Sequence, residues 1–337
     1  RGQRCGRMRA SRANGCSVRC ERARRMSTAD VPGLTSLVVV AADSGPLLSG
    51  CIESALAAGP DVELVLVDNA SRDGEVDRAE TAHAGDPRLR VLRNAVNAGF
   101  GPACNRGAAL ARGDLLVFVN PDCTLPPAFA AGLRRCLESA AGIGLLGVDV
   151  RGPDGSPARG NRRRDPTLRR ALASLSGLAR LEARWPALAG IEIPGSAGTT
   201  PAIETVEAVS GACMALPREV FAHLGGFDES YFLHVEDLDL CRRVRDAGLR
   251  VAIAHEIRVG HAGGSSSRHR PLFVSRHKHR GMWRYFDKFD PAARSGWLRA
   301  LVWSGIWLHF VVVAPLQALR AAWRRGRSAG RGRFTHG

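Results

Sequence analysis

Two long apolar runs near the start of the chain restrict its fold more than any other feature. The runs, "LTSLVVVAAD" and "VELVLVDNAS", have strand length and many β-branched residues, and they enclose "PLLSGCIESALAAG", whose apolar residues have helical spacing. A strand that is covered on both faces is apolar throughout rather than at alternate positions, as in parallel sheets. The pattern therefore predicts a βαβ unit.

The same alternation continues along the chain and predicts an open, doubly wound α/β sheet over residues 29–150. Further strands are predicted over "RLRVLRN", "DLLVFVNPD" and "GIGLLGVDVRG", with helices over "GPACNRGAALARG" and "PPAFAAGLRRCLESA" between them. Ligands of such sheets bind beyond the carboxyl ends of the strands, so the functional residues are expected there.

Residues 151–290 follow as a second half with a less regular pattern. The part over 151–205 is rich in Arg, Pro and Gly, and it predicts a long excursion with one helix near 168–184. A strand and a helix are then predicted over "ETVEAVSGACMALPREVFAHLGGF", and a strand with a Gly/Ser loop over "GLRVAIAHEIRVGHAGGSSS".

The formal charge of +16 lies almost entirely in the two ends of the chain. Residues 1–25 carry +8 and residues 318–337 carry +6, which leaves +2 for the sequence between them. A nearly neutral middle argues against a basic nucleic-acid groove, so no nucleic-acid partner is expected. Arg-rich ends beside apolar sequence favour an anionic membrane surface.

The cysteines and the N-terminal residues bear on the compartment and on the first domain boundary. Nine cysteines are scattered without a CxxC pair, which favours a reducing compartment and argues against structural zinc. Residues 1–25 lack the apolar core of a signal peptide, and "MSTADVPGLTS" from Met26 resembles a translation start. We expect residues 1–28 to be an Arg-rich tail that is disordered or not native to the protein.

Two aspartates follow strand ends, where a ligand of the sheet would lie. Asp68 ends "VELVLVD" and is placed to accept hydrogen bonds from a base or ribose, while Asp122 follows "LLVFVNP" and offers an oxygen ligand. A Mg²⁺ or Mn²⁺ ion that bridges a diphosphate needs one or two protein carboxylates. Between them, Gly99 and Gly101 precede a helix, where backbone amides can face an anion. Asx turns for the two aspartates and a structural glycine turn stay open as alternatives.

The segment "SYFLHVEDLDLCRRV" concentrates acidic residues at the start of a predicted helix. If the helix begins near Glu236, then Asp237 lies on its inward, apolar face. The helix dipole favours an ionised carboxylate in the first turn, and such a group is suited to remove a proton from an attacking hydroxyl. Asp239 and Arg243 fall on the other side, where they are expected to form a surface ion pair.

Five motifs in one order make the chain similar to inverting glycosyltransferases of family 2, which have the GT-A fold. The motifs span residues 35–285 and are "VDNASRDG", "RNAVNAGFGPACNRG", "VFVNPD", "VSGACMALPREVF…GGFDESYFLHVEDLDLCRRVRDAG" and "VGHAGGSSS". The chain most resembles the bacterial rhamnosyltransferase-like branch, which builds cell-wall and surface polysaccharide. It departs from the family pattern twice, because "LVVVAADS" lacks a Tyr-Asn pair and Asn120-Pro121-Asp122 replaces Asp-x-Asp.

The resemblance implies roles for individual residues. Asp237 would be the catalytic base, and Glu236 would orient the acceptor unless it only caps its helix. Mg²⁺ or Mn²⁺ would be held by Asp122 and His261, although a single His after a strand is also typical of a packed residue. The donor would be bound by Asp68, Asn69, Asn97, Gly99, Asn105, Asn120 and Asp122, and the acceptor by Gly211 and Ala212.

The resemblance also implies the substrates. Residues 29–150 would form the nucleotide-sugar half, with dTDP-rhamnose as the expected donor, and residues 151–290 the half for a glycan or polyprenyl-linked acceptor. Ser265, Ser266 and Ser267 would line the pyrophosphate or form a solvated loop. Two alternatives stay open: a nucleotidyltransferase, for which "VAADSGPLL" lacks a phosphate-gripping Lys or Arg, and a non-catalytic glycan-binding descendant of the enzyme.

The last segment, residues 291–337, combines an apolar helix with a basic tail. Ala300–Leu319 carries no formal charge apart from His309, and Arg299 and Arg320 flank it. Its length is about the minimum for crossing a bilayer, but arginines at both ends and tryptophans along the segment favour a helix in the interface. We expect peripheral or re-entrant attachment to the cytoplasmic face of the membrane, with a spanning helix or a buried core helix as alternatives.

Overall fold

The computed structural model describes residues 31–194, 201–263 and 270–331, with side chains as far as residue 316 in the last helix. Three of the predictions therefore lie outside the described residues. They concern the tail over residues 1–28, the serines Ser265, Ser266 and Ser267, and the arginine side chains of the basic C-terminal segment.

A mixed sheet forms the centre of the described chain. Its strands are β1 (Val31–Ala41), β2 (Val62–Asp68), β3 (Leu89–Arg93), β4 (Gly113–Val119), β5 (Cys123–Thr124), β6 (Ile143–Arg151), β8 (Ile203–Thr205), β10 (Cys213–Pro217) and β11 (Arg250–His261). The order is β3-β2-β1-β4-β10-β6-β11-β5, with β8 beside β11. A separate ribbon pairs β7 (Arg162–Arg163) with β9 (Ala208–Val209).

Strand direction agrees with the apolar runs of the sequence. Strands β1 to β4 pair in parallel, while β10 runs antiparallel between β4 and β6. Parallel pairing brings the carboxyl ends of β1, β2 and β4 to one edge of the sheet, where Asp68 and Asp122 lie. The predicted α/β fold is confirmed, its sheet is mixed, and the two predicted halves share this sheet.

Helices cover both faces of the sheet, which explains why its strands are apolar throughout. One face carries α1 (Leu47–Leu56), α2 (Glu75–Ala82) and α4 (Phe129–Ser139), and the other carries α3 (Phe100–Leu110), α6 (Arg218–His223), α7 (Glu236–Asp246) and α8 (Pro271–Phe289). Along β1, Leu37 and Val39 pack into the first of these cores, and Val38 and Val40 pack into the second.

The excursion over 151–205 contains a shorter helix than the sequence predicts. Helix α5 (Leu168–Ser176) starts at Thr167, whose side chain accepts a hydrogen bond from the Arg170 amide. It ends at Gly177, which has a left-handed backbone (φ 78°), and only a 3₁₀ turn over Leu178–Leu181 follows. The predicted extension to residue 184 is wrong because glycine in this conformation closes a helix.

Two long helices form a hairpin at the end of the described chain. Helix α8 packs on the second core, and α9 (Gly296–Arg331) runs back along it, with His279 Nε2 and His309 Nδ1 2.9 Å apart. Gly296–Leu316 has a mean hydropathy of 1.5 and is long and apolar enough to cross a membrane, by length and composition. Only 6% of that stretch is buried, so the alternative of a buried core helix is wrong.

Candidate active site

The turn after β4 and the end of β11 meet at the carboxyl edge of the sheet. Strand β5 follows this turn directly and pairs with β11 through Cys123 and His261. The pairing brings His261 Nε2 to 3.1 Å from the carboxylate oxygen Oδ1 of Asp122. The amide nitrogen of the Asn120 side chain lies 3.4 Å from the same imidazole nitrogen.

These side chains include a donor set that suits a divalent cation. Ligand atoms of Asp122, Cys123 and His261 lie within 4.8 Å of one another. Cys123 belongs to the apolar core, and burial raises the pKa of its thiol well above the usual 9.0, so it stays protonated. The remaining carboxylate and imidazole are ligands that bind Mg²⁺ or Mn²⁺ in proteins, and the two predicted metal ligands do lie together.

The predicted acidic helix begins at Glu236, as the sequence indicates, but the turn before it is unusual. His234 and Val235 both have left-handed backbones, with φ values of 64° and 75°. Two consecutive non-glycine residues in this region store strain, which is typical of functional turns. The turn directs Asp237 toward Gly211, whose amide donates to Oδ2 of Asp237 at 3.1 Å.

Arg163 is the charged partner of Asp237. Its guanidinium donates to Asp237 Oδ2 and to the carbonyl oxygen of Val209, and the Leu238 amide donates to Asp237 Oδ1 at 2.8 Å. Burial opposes ionisation of Asp237, but the charge and hydrogen bond of Arg163 outweigh it and lower the pKa of this carboxyl. Asp237 therefore stays ionised at neutral pH.

Glu236, the neighbouring acid, has the opposite electrostatic character. Burial, together with the negative charge of Asp237, raises its pKa from 4.5 to about 8. Its Oε2 atom is buried without a hydrogen-bond partner in the described part of the chain. The N-cap residue Val235 makes no side-chain hydrogen bond to the start of α7, and a capping role for Glu236 stays an alternative. The pair thus holds one proton at neutral pH, on Glu236.

Gly211 and Ala212 connect the acidic turn, His234–Asp237, with the carboxyl edge of the sheet, where Asp122 and His261 lie. The Gly211 backbone amide contacts Asp237, and the carbonyl oxygen of Ala212 accepts a hydrogen bond from the backbone amide of Asn120 at 2.9 Å. A Cβ atom at Gly211 would lie 3.1 Å from the Asp237 Cβ, so this approach requires a small residue. The predicted base and the predicted metal ligands consequently border one site, and the acceptor role of the two residues stays a prediction.

Comparison with known proteins agrees with this arrangement. Residues 36–193 match the model of Glycosyl transferase family 2. The N-acetylglucosaminyl-diphospho-decaprenol L-rhamnosyltransferase of Mycobacterium tuberculosis is 28% identical over 271 residues, which cover 74% of this chain and 86% of that protein. Over residues 36–193 the chain carries a Glycosyl transferase family 2 domain. Its relationship to a rhamnosyltransferase confirms the branch that the motifs predict.

Solved structures of low sequence identity share the fold of this glycosyltransferase. GalNAc-T7, crystallised with UDP, GalNAc and Mn²⁺, is 18% identical with a TM-score of 0.56, and the match covers 75% of this chain and 47% of that one. The mannosyltransferase PcManGT from Pyrobaculum calidifontis, in complex with GDP-Man and Mn²⁺, is 16% identical with a TM-score of 0.50, over 95% and 88% of the two chains. These matches confirm the GT-A fold.

The donor-side residues of the glycosyltransferase form a hydrogen-bonded loop. Asp68 Oδ1 accepts from the Ser71 amide at 2.8 Å, so it makes the turn that the sequence left open, and Oδ2 pairs with Arg93 at 3.1 Å. The Asn69 side chain donates to Asn97 and to the Gly99 carbonyl oxygen at 3.0 and 3.1 Å. Asp68, Asn69 and Asn97 therefore lie together, and their contact with a nucleotide stays a prediction.

Two other predicted donor residues serve to hold loops. The Gly99 amide donates to Asn97 Oδ1 at 3.0 Å, so it faces its own loop rather than an anion cradle. Asn105 donates to the Phe227 carbonyl oxygen at 2.9 Å and accepts from the Phe227 amide at 2.8 Å. These hydrogen bonds fix the chain before the acidic turn, and the donor-binding role of Asn105 stays a prediction.

The sequence analysis missed Arg163 and misplaced Asp239. Arg163 is one of three consecutive arginines, and only the pairing of β7 with β9 selects it to face Asp237. The predicted pair of Asp239 and Arg243 forms, at 2.5 Å, but Asp239 is fully buried and also accepts from Lys288 at 2.5 Å. The surface location was wrong because α8 covers that side of α7.

Proposed function

We propose that the protein transfers rhamnose from dTDP-rhamnose to a polyprenyl-diphosphate-linked acceptor, with inversion of the anomeric carbon. The observation that carries the proposal is the ionised carboxylate of Asp237, joined through Gly211 and Ala212 to the edge that holds Asp122 and His261. The name of the mycobacterial relative supports both the sugar and an N-acetylglucosaminyl diphosphate lipid as acceptor.

Each residue of the site has a separate role in the proposed transfer. Asp237 accepts the proton of the acceptor hydroxyl, whose oxygen attacks the anomeric carbon from the face opposite the nucleoside diphosphate. The C–O bond to the diphosphate breaks as the new glycosidic bond forms, so one displacement inverts the configuration. Glu236, which holds a proton, donates a hydrogen bond that orients the acceptor. Asp122 and His261 would hold Mg²⁺ or Mn²⁺, which would supply positive charge to stabilise the leaving diphosphate.

The hairpin of α8 and α9 supports a membrane location for the reaction. The exposed apolar side chains of α9 include Trp297, Leu301, Trp303, Leu308, Val311, Val312 and Leu316. A patch of this extent on a helix with a basic C-terminal end suits the interface of an anionic membrane. We infer peripheral or re-entrant attachment to the cytoplasmic face, where a lipid-linked acceptor presents its sugar.

A transfer assay tests the proposal. Detergent-solubilised protein is incubated with Mn²⁺ or Mg²⁺, with radiolabelled dTDP-rhamnose, UDP-sugars or GDP-sugars, and with a short-chain polyprenyl-diphosphate-linked GlcNAc. Label should enter the lipid fraction from dTDP-rhamnose, and NMR of the product should give the inverted anomer. Asp122→Ala should lose metal-dependent binding of dTDP.

Each failure of this assay contradicts a different part of the proposal. Transfer from another donor refutes the sugar, and a retained anomer refutes the single displacement. Formation of dTDP-rhamnose from dTTP and rhamnose 1-phosphate would identify a nucleotidyltransferase instead. If no donor is consumed while glycans bind, the protein is a non-catalytic descendant.

A further inference from the structure

Helix α8 touches the turn that carries the two catalytic acids. A Cβ atom at Gly281 would lie 3.1 Å from the carbonyl oxygen of His234 and 3.0 Å from a methyl carbon of Val235. The helix therefore approaches the turn as closely as a glycine allows. Burial and the positive charge of Lys278 lower the pKa of His234, which agrees with this proximity.

The first part of α8 carries positive charge that the protein itself does not neutralise. Further along the helix, Arg284 and Lys288 pair with Asp228 at 2.9 Å. No carboxylate in the described ranges forms an ion pair with Arg276, Lys278 or Arg280, which are all exposed. Arg276 and Arg280, four residues apart, share one face of the helix beside His277, and Lys278 lies on the side toward His234. Unpaired cations on adjoining sides of one short stretch attract an anion of more than one charge.

A cavity of about 320 Å³ opens beside one of these cations, Arg280. Its lining includes Phe232, His277 and Arg280. The rings of Phe232 and His277 are 4.5 Å apart, and Phe273 packs against both at 5.4 and 4.4 Å. The one acid of the lining, Glu229, accepts a hydrogen bond from Asn105 at 3.0 Å. The cavity thus combines aromatic walls with a cationic side.

Apolar surface continues from the N-terminal end of α8 onto α9. The helices are antiparallel and meet at His279 and His309, so Leu272 of α8 lies level with Leu316 of α9. Leu272 and Phe273 are 49% and 39% exposed, and Val312 and Leu316 are 56% and 50% exposed. From the N-terminal end of α8, the exposed apolar residues therefore come first. The cations and the residues that line the cavity follow, and the contact with the turn before α7 comes last.

We propose that the first three turns of α8 and this cavity bind the diphosphate and the first isoprene units of the lipid-linked acceptor. The assignment rests on the proposed function for the acceptor's chemistry. A diphosphate diester carries two charges, which match the guanidinium forks of Arg276 and Arg280, and Lys278 adds positive charge on the side of α8 toward His234. Leu272 and Phe273 contact the isoprene chain. Gly281 lines the cavity and touches His234, so a sugar on this diphosphate would be presented to the turn that precedes Asp237.

Binding of farnesyl diphosphate without divalent metal tests the site, because EDTA removes the metal-dependent diphosphate site from the measurement. Calorimetry compares full-length wild type with the triple variant Arg276→Gln/Lys278→Gln/Arg280→Gln. The matched control is Arg169→Gln/Arg180→Gln/Arg184→Gln, which removes the same charge from exposed positions on and after α5. The first variant should bind farnesyl diphosphate about tenfold more weakly or worse, and the control should bind like wild type.

Further variants and ligands show what causes a loss of farnesyl diphosphate binding. A variant with Arg276→Lys and Arg280→Lys keeps the charges and should retain part of the binding, which separates recognition from misfolding. Equal losses in both triple variants overturn the proposal. So does unchanged farnesyl diphosphate binding with weaker binding to anionic vesicles, since the cations would then serve phospholipids. Binding of dTDP with Mn²⁺ should be the same in all variants, and sugar transfer by wild type is scored separately, so failure of the proposed function is distinguishable.

Discussion

Asp237 illustrates a conflict between burial and function at a single residue. A buried carboxylate without a partner would take up a proton and could no longer act as a base. Arg163 prevents this, because its charge and hydrogen bond hold the pKa of Asp237 below the ordinary value. The neighbouring Glu236, which lacks such a partner, keeps its proton instead. One arginine thus decides which of two adjacent acids is charged.

Asp237→Asn should abolish sugar transfer while it leaves binding of the nucleoside diphosphate nearly unchanged. The substitution removes the proton acceptor with little change in volume, and loss of a general base typically lowers kcat by about 10²- to 10⁴-fold. Steady-state transfer and calorimetry with dTDP and Mn²⁺ measure the two effects. Turnover like that of wild type would rule Asp237 out as the base.

Arg163→Met should move the acidic limb of the kcat/KM profile to higher pH. Without the guanidinium, burial dominates and the pKa of Asp237 rises, so a smaller fraction is ionised at low pH. Activity should recover above the new pKa. Arg162→Met serves as the control, because Arg162 is the neighbour of Arg163 in the chain but pairs with Glu204 instead of Asp237. A uniform loss at every pH would mean that Arg163 only supports the fold.

Glu236→Gln should stabilise the protein increasingly as the pH rises from 4.5 toward 8. The raised pKa of Glu236 means that the folded protein keeps a proton that the unfolded chain releases, so wild-type stability falls across this window. Glutamine cannot ionise and avoids the loss, which amounts to as much as about 1.4 kcal/mol per pH unit. Urea unfolding at several pH values measures the difference. Glu219→Gln, exposed in α6, should give no such trend.

At the scale of elements, the loop before α3 and the turn before α7 depend on each other. The Phe100 amide donates to the Phe232 carbonyl oxygen at 2.8 Å, and Asn105 fixes Phe227. Gly99 makes the contact possible, since its φ is 94° and a Cβ there would lie 2.6 Å from the Phe232 oxygen. The donor-side loop and the acidic turn therefore share one junction.

Gly99→Ala should lower the free energy of unfolding more than Gly85→Ala does. Both glycines have positive φ, 94° and 91°, so alanine is strained at either position, but nothing lies within 4 Å of a Cβ at Gly85. The difference measures the clash with Phe232, for which about 1–3 kcal/mol is typical of overpacking. Urea unfolding of the two variants gives the value, and equal losses would show that the junction yields without strain.

Sequence patterns predicted the helices and strands better than they predicted the packing of one element against another. The apolar runs gave β1, β2 and β4, and the acids "EDLD" gave the start of α7 and the inward side of Asp237. The same helical spacing placed Asp239 on the surface, because periodicity describes a helix's own faces and not the later helix α8 that packs over one of them. Likewise, nothing local distinguishes Arg163 from its two neighbours, since a long-range pairing with β9 selects it.

In the whole molecule, positive charge and exposed apolar surface are concentrated toward the C-terminal end of the chain. The catalytic domain is nearly neutral, whereas the C-terminal segment 318–337 carries +6 next to an exposed apolar helix. Because only 6% of Gly296–Leu316 is buried, the proposed membrane attachment can use either a spanning or an interfacial helix. An interfacial helix would hold the domain at the membrane with α8 and its cations close to the lipid headgroups.

Deletion of residues 296–337 should release the enzyme from membranes and slow it selectively. The truncated protein should still consume dTDP-rhamnose with a water-soluble acceptor, because α9 lies outside both cores of the sheet, but it should be slow on a lipid-linked acceptor in vesicles. Each terminal arginine near an anionic surface contributes about 1 kcal/mol to attachment. Full-length protein with Leu301→Ser and Leu308→Ser should bind vesicles more weakly, whereas Leu172→Ser with Leu175→Ser, which removes exposed leucines from α5, should not. Sedimentation with vesicles measures both, and a truncated protein that still sediments would refute attachment through α9.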